Sequence, residues 1–194
     1  MIRVLAALVL SAALGQPALA ALKAGDMAPD FSAQASLAGK SFSYSLADAL
    51  KKGPVVVYFY PSAFTEGCNI EAHTFSVRKG EFDAAGATII GVSLDSISRL
   101  NDFSADPKYC AGKLAVASDA DGAIVKAYHL KVQSSPQPVP DSRGVNIDHA
   151  FAERSTFVVT PDQKVYAAIG GVTPTAHVDA ALKAVQQLAQ AKSK

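Results

Sequence analysis

Two stretches beyond the first twenty residues are predominantly apolar. Val55-Val56-Val57-Tyr58-Phe59-Tyr60 follows Gly53-Pro54, and Ala87-Thr88-Ile89-Ile90-Gly91-Val92-Ser93 comes later. Runs of β-branched and aromatic residues with no polar alternation predict strands buried on both faces. Pro61 closes the first, and a helical spacing follows over about 67–79. Upstream, residues 31–44 alternate loosely about Gly39-Lys40, which predicts a small hairpin, and Ser45 is placed to cap a short helix to Leu50. Residues 100–110 read as helical, with Pro107 bending or ending the helix; 114–117 read as a short strand and 124–128 as a helical turn. The stretch 133–146, with Pro136, Pro138, Pro140 and Gly144, reads as the one long loop. Residues 156–159 and 165–169 flank Pro161-Asp162 as a hairpin. Val178, Leu182, Val185 and Leu188 form one stripe of a closing amphipathic helix over 178–191. Strands alternating with helices, then a late hairpin, predict an α/β fold: a mixed central sheet with helices on both faces.

The first twenty residues stand apart. Arg3, an apolar run over 4–14 and Ala18-Leu19-Ala20, with small residues at −3 and −1, have the anatomy of a cleavable secretory leader. Gly15-Gln16-Pro17 interrupts the run well short of the about 20 apolar residues a spanning helix needs. The expectation is a cut after Ala20, a periplasmic or secreted product, and a single domain over 21–194 with no membrane role. Loss of Arg3 leaves 17 basic against 17 acidic residues, a neutral chain with no field to hold nucleic acid. At 49% hydrophobic and 18% charged residues, disorder is excluded. Four histidines suggest no metal site. The two cysteines, Cys68 and Cys110, must be either disulfide partners or reactive thiols in an oxidising compartment.

Chemistry concentrates in Tyr58-Phe59-Tyr60-Pro61-Ser62-Ala63-Phe64-Thr65-Glu66-Gly67-Cys68-Asn69-Ile70-Glu71. A buried strand delivers a loop, and Cys68 falls in the first turn of the next helix. Unpaired N–H groups and the positive dipole end there favour a thiolate, and cysteines so placed have pKa values lowered to roughly 3.5–7.5. Glu71 occupies the place of a second cysteine, so a C-x-x-C dithiol is excluded. Each residue also has an ordinary structural reading. Cys68 and Cys110 would make a plain disulfide, Thr65 a helix cap, Arg154 a strand-edge charge, and Glu71 a solvated carboxylate. Asp148-His149 would be polar loop surface.

Pro61-x-x-x-Thr65-x-x-Cys68 resembles the active-site motif of the peroxiredoxins (the AhpC/TSA-like thiol peroxidases), and the likeness extends along the chain. Gly25, Pro29, Asp30 and Phe31 resemble the family's opening, Gly91-Val92-Ser93-x-Asp95-Ser96 and Ser118-Asp119 its middle, and Arg154-Ser155-Thr156-Phe157-Val158 its late arginine strand. The branch most similar is the bacterioferritin-comigratory type. The resemblance implies a thioredoxin-like fold and a thiol-specific peroxidase that reduces hydrogen peroxide and organic hydroperoxides through a Cys68 sulfenic acid. It implies transition-state contacts from Thr65 and Arg154, shielding of the sulfur by Pro61, and Glu71 orienting Arg154. It implies no cofactor or metal, a thioredoxin-like thiol reductant as partner, and a monomer or weak dimer. Many relatives carry a resolving cysteine five residues after the first, where His73 stands here. Cys110 resembles an alternative resolving position. Two rivals remain open: a non-enzymatic binding module stapled by Cys68–Cys110, and a thiol–disulfide exchanger.

Overall fold

In the computed structural model, residues 21–192 are described; the expected leader over 1–20 lies outside them. The chain starts with the hairpin β1 (Ser32–Leu37) and β2 (Lys40–Ser45), then α1 (Leu46–Leu50), whose Ser45 side chain accepts from the Asp48 N–H. The two apolar runs become β3 (Val55–Phe59) and β4 (Thr88–Ser93), with α2 (Glu66–Ala84) between them and α3 (Ile97–Ala105), β5 (Ala115–Ser118) and α4 (Ala123–Ala127) following. Four two-residue strands come next: β6 (Val132–Gln133), β7 (Val139–Pro140), β8 (Asn146–Ile147) and β9 (Phe151–Ala152). The late hairpin is β10 (Ser155–Val159) and β11 (Val165–Gly170), and α5 (Pro174–Lys192) closes the chain.

One seven-stranded sheet runs β11-β10-β3-β4-β5-β1-β2. β3, β4 and β5 are mutually parallel, while β10 joins β3 antiparallel and β1 joins β5 antiparallel. All of β3 is buried, and its residues alternate between two cores. Val55, Val57 and Phe59 pack with Leu46, Leu50, Val125 and Tyr128 of the α1/α4 side. Val56, Tyr58 and Tyr60 pack with Phe75, Phe82, Leu100, Phe103, Val178 and Leu182 of the α2/α3/α5 side. This is the mixed sheet with helices on both faces that the sequence pattern predicts.

The structure moves several expected boundaries. α2 runs on past residue 79 because Phe82, a further turn along, is fully buried, and it stops before Gly86, which takes a positive φ of 73°. α3 ends at Ala105 rather than reaching residue 110. Asp106, pressed by Pro107, is extended at φ −61°, ψ 120°, so Cys110 lies in the turns after the helix. The 133–146 stretch is not plain loop, since β7 pairs with β8 and β6 with β9. α5 opens at Pro174 rather than Val178, where a missing N–H is harmless in the first turn.

Gly91 faces Tyr58 directly across the β3–β4 register. A Cβ there would sit 2.6 Å from Tyr58 Cζ and 2.7 Å from its hydroxyl oxygen. Gly91→Ala must therefore overpack the core between two central strands. A loss of about 1–3 kcal/mol in urea unfolding is expected.

Candidate active site

β3 ends at Phe59, and the loop it delivers turns back into α2 at Thr65. Cys68 sits in the first turn of α2, 1% exposed, with the Asn69 N–H already bonded back to the Thr65 carbonyl. Thr65 is the N-cap residue, yet its hydroxyl makes no capping bond and donates to the Ser62 carbonyl at 2.8 Å. The ordinary reading of Thr65 as a side-chain cap therefore fails.

Arg154 arrives from the neighbouring strand. Ser155 pairs with Phe59 in the β10–β3 register, so the residue before it comes level with the start of the loop. Its Nη2 donates to Cys68 Sγ at 3.3 Å, and its Nη1 pairs with Glu71 Oε2. Glu71 is 0% exposed, so it is no solvated carboxylate. Gly67 makes the approach possible: a Cβ there would lie 3.1 Å from Arg154 Nη2 and 3.4 Å from Pro174 Cγ. Pro61 and Arg154 share a recess of about 310 Å³ with Lys131, Phe151 and Ala152. A wider groove, about 1140 Å³ and walled by Leu94, Lys126, Leu130 and His149, has neither Cys68 nor Arg154 in its lining.

Burial dominates the electrostatics. It pushes the Cys68 thiol above its ordinary value, against the Arg154 charge and the hydrogen bonds from Thr65, the Ser62 backbone and Arg154 that pull it down. The expectation of a lowered thiol pKa is thus corrected in sign for this closed arrangement: desolvation of the sulfur outweighs the charges beside it. Burial likewise raises Glu71 to about 7 despite Arg154. His177, from α5, is buried and hydrogen-bonds Thr156 Oγ1 through Nδ1 at 3.0 Å. Burial first, and Arg154 second, hold it down at about 4, so it stays neutral beside the guanidinium.

Cys110 is also 0% exposed, in the same core cluster as Cys68, and burial pushes its thiol far up. Both cysteines are free, so no disulfide staples this fold. His73 Nδ1 meets the Lys108 carbonyl at 3.0 Å, tying α2 to the segment that carries Cys110. Two residues without a role in the sequence reading are also here. Asp95, fully buried just after β4, accepts from the Ala63 N–H, and His149 meets its carboxylate at 2.8 Å. His149 is therefore not polar loop surface. The Gly91-Val92-Ser93-x-Asp95 run is visible as a motif, but nothing in it announces a buried carboxylate.

A cysteine at the mouth of the sheet, buried against an arginine and with no partner cysteine in its own turn, is the candidate redox centre of this fold. Residues 24–168 match the model of the AhpC/TSA family. Peroxiredoxin Bcp of Xanthomonas campestris pv. campestris is 33% identical over 132 residues, covering 68% of this chain and 76% of the relative. Peroxidoxin BcpB from Mycobacterium tuberculosis superposes with a TM-score of 0.71 at 27% identity, covering 86% of this chain and 98% of that one. A trapped intermediate/ligand complex of Xanthomonas campestris bacterioferritin comigratory protein, solved for insight into its alkyl peroxide reduction activity, gives 0.64 at 32% identity over 80% of this chain and 91% of that one. The chain belongs to the AhpC/TSA family, as a peroxiredoxin of the Bcp branch. It is a thiol peroxidase.

The neutral His177 gives a stability prediction with a definite sign. Its folded value lies below the ordinary histidine value near 6.5, so the unfolded chain binds the proton first. Its contribution is intact above about 6.5 and is lost as pH falls toward 4. Denaturant midpoints measured across that window should fall for the wild type and fall less for His177→Gln. Parallel curves for the two proteins would show that His177 carries no such linkage.

Proposed function

We propose that Cys68 is the peroxidatic nucleophile, acting on hydrogen peroxide and organic hydroperoxides. The observation that carries this reading is the Arg154 Nη2 contact to Sγ at 3.3 Å in a site where Glu71 fixes the same guanidinium. The thiolate attacks the terminal, hydroxyl-bearing oxygen of the peroxide and displaces the far one. An S–O bond forms as the O–O bond breaks, sulfur is oxidised to the sulfenic acid, and the departing oxygen leaves as water or alcohol once protonated. Negative charge spreads over both oxygens in the transition state. Arg154 is permanently charged and already oriented, so it stabilises that charge without reorganising. Thr65 has one hydroxyl proton, now spent on the Ser62 carbonyl, and it accepts from the peroxide O–H while holding it. Pro61, walling the recess with Arg154, limits water and offers no N–H of its own.

Cys110 is proposed as the resolving thiol. Its sulfur attacks the sulfenic sulfur, water leaves, and a Cys68–Cys110 disulfide forms; a thioredoxin-like dithiol protein then supplies two electrons to reopen it. The turns around Cys110 support the movement this needs. Ala111 and Gly112 take positive φ of 52° and 66°, and the segment is not part of a helix or strand. The leader pattern of residues 1–20 supports export to an oxidising compartment, the enzyme working as a monomer or weak dimer.

Cys68→Ser should abolish peroxide consumption in a coupled assay, a hydroxyl being a poor nucleophile at neutral pH; turnover near wild type would remove Cys68 from the reaction. Arg154→Ala should slow the stopped-flow peroxide step by about 10²–10³-fold, the loss of one oriented donor, and Thr65→Val should slow it by removing the acceptor that holds the peroxide O–H. Arg154→Ala should also move the rising limb of the pH–rate profile to higher pH, since the charge that pulls the thiol down is gone.

Mass spectrometry after one equivalent of peroxide tests Cys110. A two-hydrogen loss with a Cys68–Cys110 cross-linked peptide is expected. A lasting sulfenic acid with Cys110 still free would instead mean resolution by an external thiol.

A further inference from the structure

The Asp95 carboxylate gathers the loop that precedes Cys68. The Ala63 N–H donates to Oδ2 at 2.8 Å, the Ser62 hydroxyl to Oδ1 at 2.9 Å, and the Ser93 hydroxyl to Oδ2 at 2.7 Å. Ser62 and Ala63 stand between Pro61 and Thr65, so this carboxylate anchors the turn that seats the nucleophile. The turn needs anchoring. Phe64 adopts a left-handed φ of 62°, a strained conformation for a non-glycine residue. It is held there by the Ser142 N–H on its carbonyl at 2.8 Å and by the Arg143 guanidinium 3.4 Å above its ring.

His149 completes the anchor, and its surroundings decide its charge. Nδ1 faces the Ala150 carbonyl at 2.8 Å, and Nε2 faces Asp95 Oδ1 at 2.8 Å. Both partners accept only. A neutral ring would turn a lone pair on one of them at hydrogen-bond distance, whereas an imidazolium gives each a proton. The arrangement is not a hydrolytic triad, because Ser62 and Asp95 both meet the same ring nitrogen, with Ser62 Oγ 3.3 Å from Nε2. Other charges surround the pair. Arg99 Nε lies 2.8 Å from Asp95 Oδ1 as a charge contact rather than an aligned hydrogen bond, while its Nη2 reaches Asp141 at 2.8 Å. Asp148 is the neighbour in the chain, and Asp121, Lys126, His129 and Lys131 line the groove that His149 borders. Burial pulls the ring's pKa down, but the hydrogen bond and charge of Asp95 outweigh it, with the Ala150 carbonyl and Asp148 adding, and the net is upward. Asp95 is lowered: burial opposes its ionisation, and the His149 pair, Ser93 and the Ala63 N–H overcome that.

We propose that His149 is a positioning residue of the peroxidase: its imidazolium, bridged to Asp95, holds the Pro61–Thr65 turn in the geometry that seats Cys68, and loss of that proton releases the turn. The inference rests on Cys68 as the nucleophile, and its test separates the two. An NMR titration of the His149 ring in the reduced wild-type enzyme should give a midpoint above the ordinary value near 6.5. The stopped-flow rate with hydrogen peroxide should rise with pH as Cys68 ionises; divided at each pH by the thiolate fraction read from thiolate absorbance, it should show a falling limb over the same interval in which the ring titrates. His149→Gln should lower the rate about ten- to a hundredfold at neutral pH, the cost of a displaced reacting group, and should lack the falling limb. A ring midpoint at or below 6.5 overturns the proposal. So does a His149→Gln enzyme with the wild-type rate and both limbs, or one slowed equally at every pH with the falling limb intact. If the variant fails to fold, the wild-type ring titration decides. Should peroxide consumption survive Cys68→Ser, the nucleophile assignment fails while the ring titration still reads His149 on its own.

Discussion

A single guanidinium shared between a carboxylate and a sulfur is the constraint around which this molecule is arranged. Burial of Cys68 opposes its ionisation, and Arg154 is the largest force acting the other way. A charge that must work next to a buried thiol cannot be left to find its place. Glu71 fixes one end of it, Gly67 leaves room for it to cross the start of α2, and the β10–β3 register sets its height. His177 stays neutral beside it and so adds no competing cation. These residues come from several different elements, so the site exists only once the sheet is assembled.

The loop between β3 and α2 is held by a different set of contacts. Its backbone and hydroxyl groups are satisfied by Asp95 from the end of β4, by Arg99 from α3 and by Ser142 from the β7–β8 hairpin. The proline-bearing segment after α4 thus serves as a clasp over Phe64, through Arg143 and Ser142. Cys68 is thus supported on one side by helix and sheet, and on the other by a side-chain charge network that, on the proposal for His149, responds to protons.

Much of this is legible in the amino-acid sequence. The apolar runs at Val55 and Ala87 announce strands buried on both faces, and the spacing of Pro61, Thr65 and Cys68 announces the loop-to-helix turn. Arg154 can be named because its local motif is distinctive, although its distance from Cys68 along the chain hides their contact. What the sequence conceals is burial of polar groups. Glu71 and His149 look like surface residues by type; the family resemblance pairs Glu71 with Arg154, but only the three-dimensional packing shows that Glu71 is fully buried there and that His149 is pressed against Asp95. The sign of the thiol shift is hidden for the same reason. A helix N-terminus and a cation are visible in a motif, whereas the loss of water around the sulfur is not. Helix ends also drift, since Phe82 extends α2 through a contact with no local signal.

The position of Cys110 has a consequence for how long the oxidised enzyme persists. With Cys110 as the resolver, its sulfur must leave a fully buried site, and the segment bearing it is fastened to α2 through His73 and the Lys108 carbonyl and through Ser76 on its own carbonyl at 3.2 Å. Resolution is then gated by local opening rather than by collision of two ready thiols. During that wait a second peroxide molecule competes for the same sulfenic sulfur, and its success converts it to the sulfinic acid. On the proposal that Cys110 resolves, the tightness of the tether at residues 108–110 sets a peroxide dose: below it the enzyme cycles, and above it the enzyme is consumed by its own substrate.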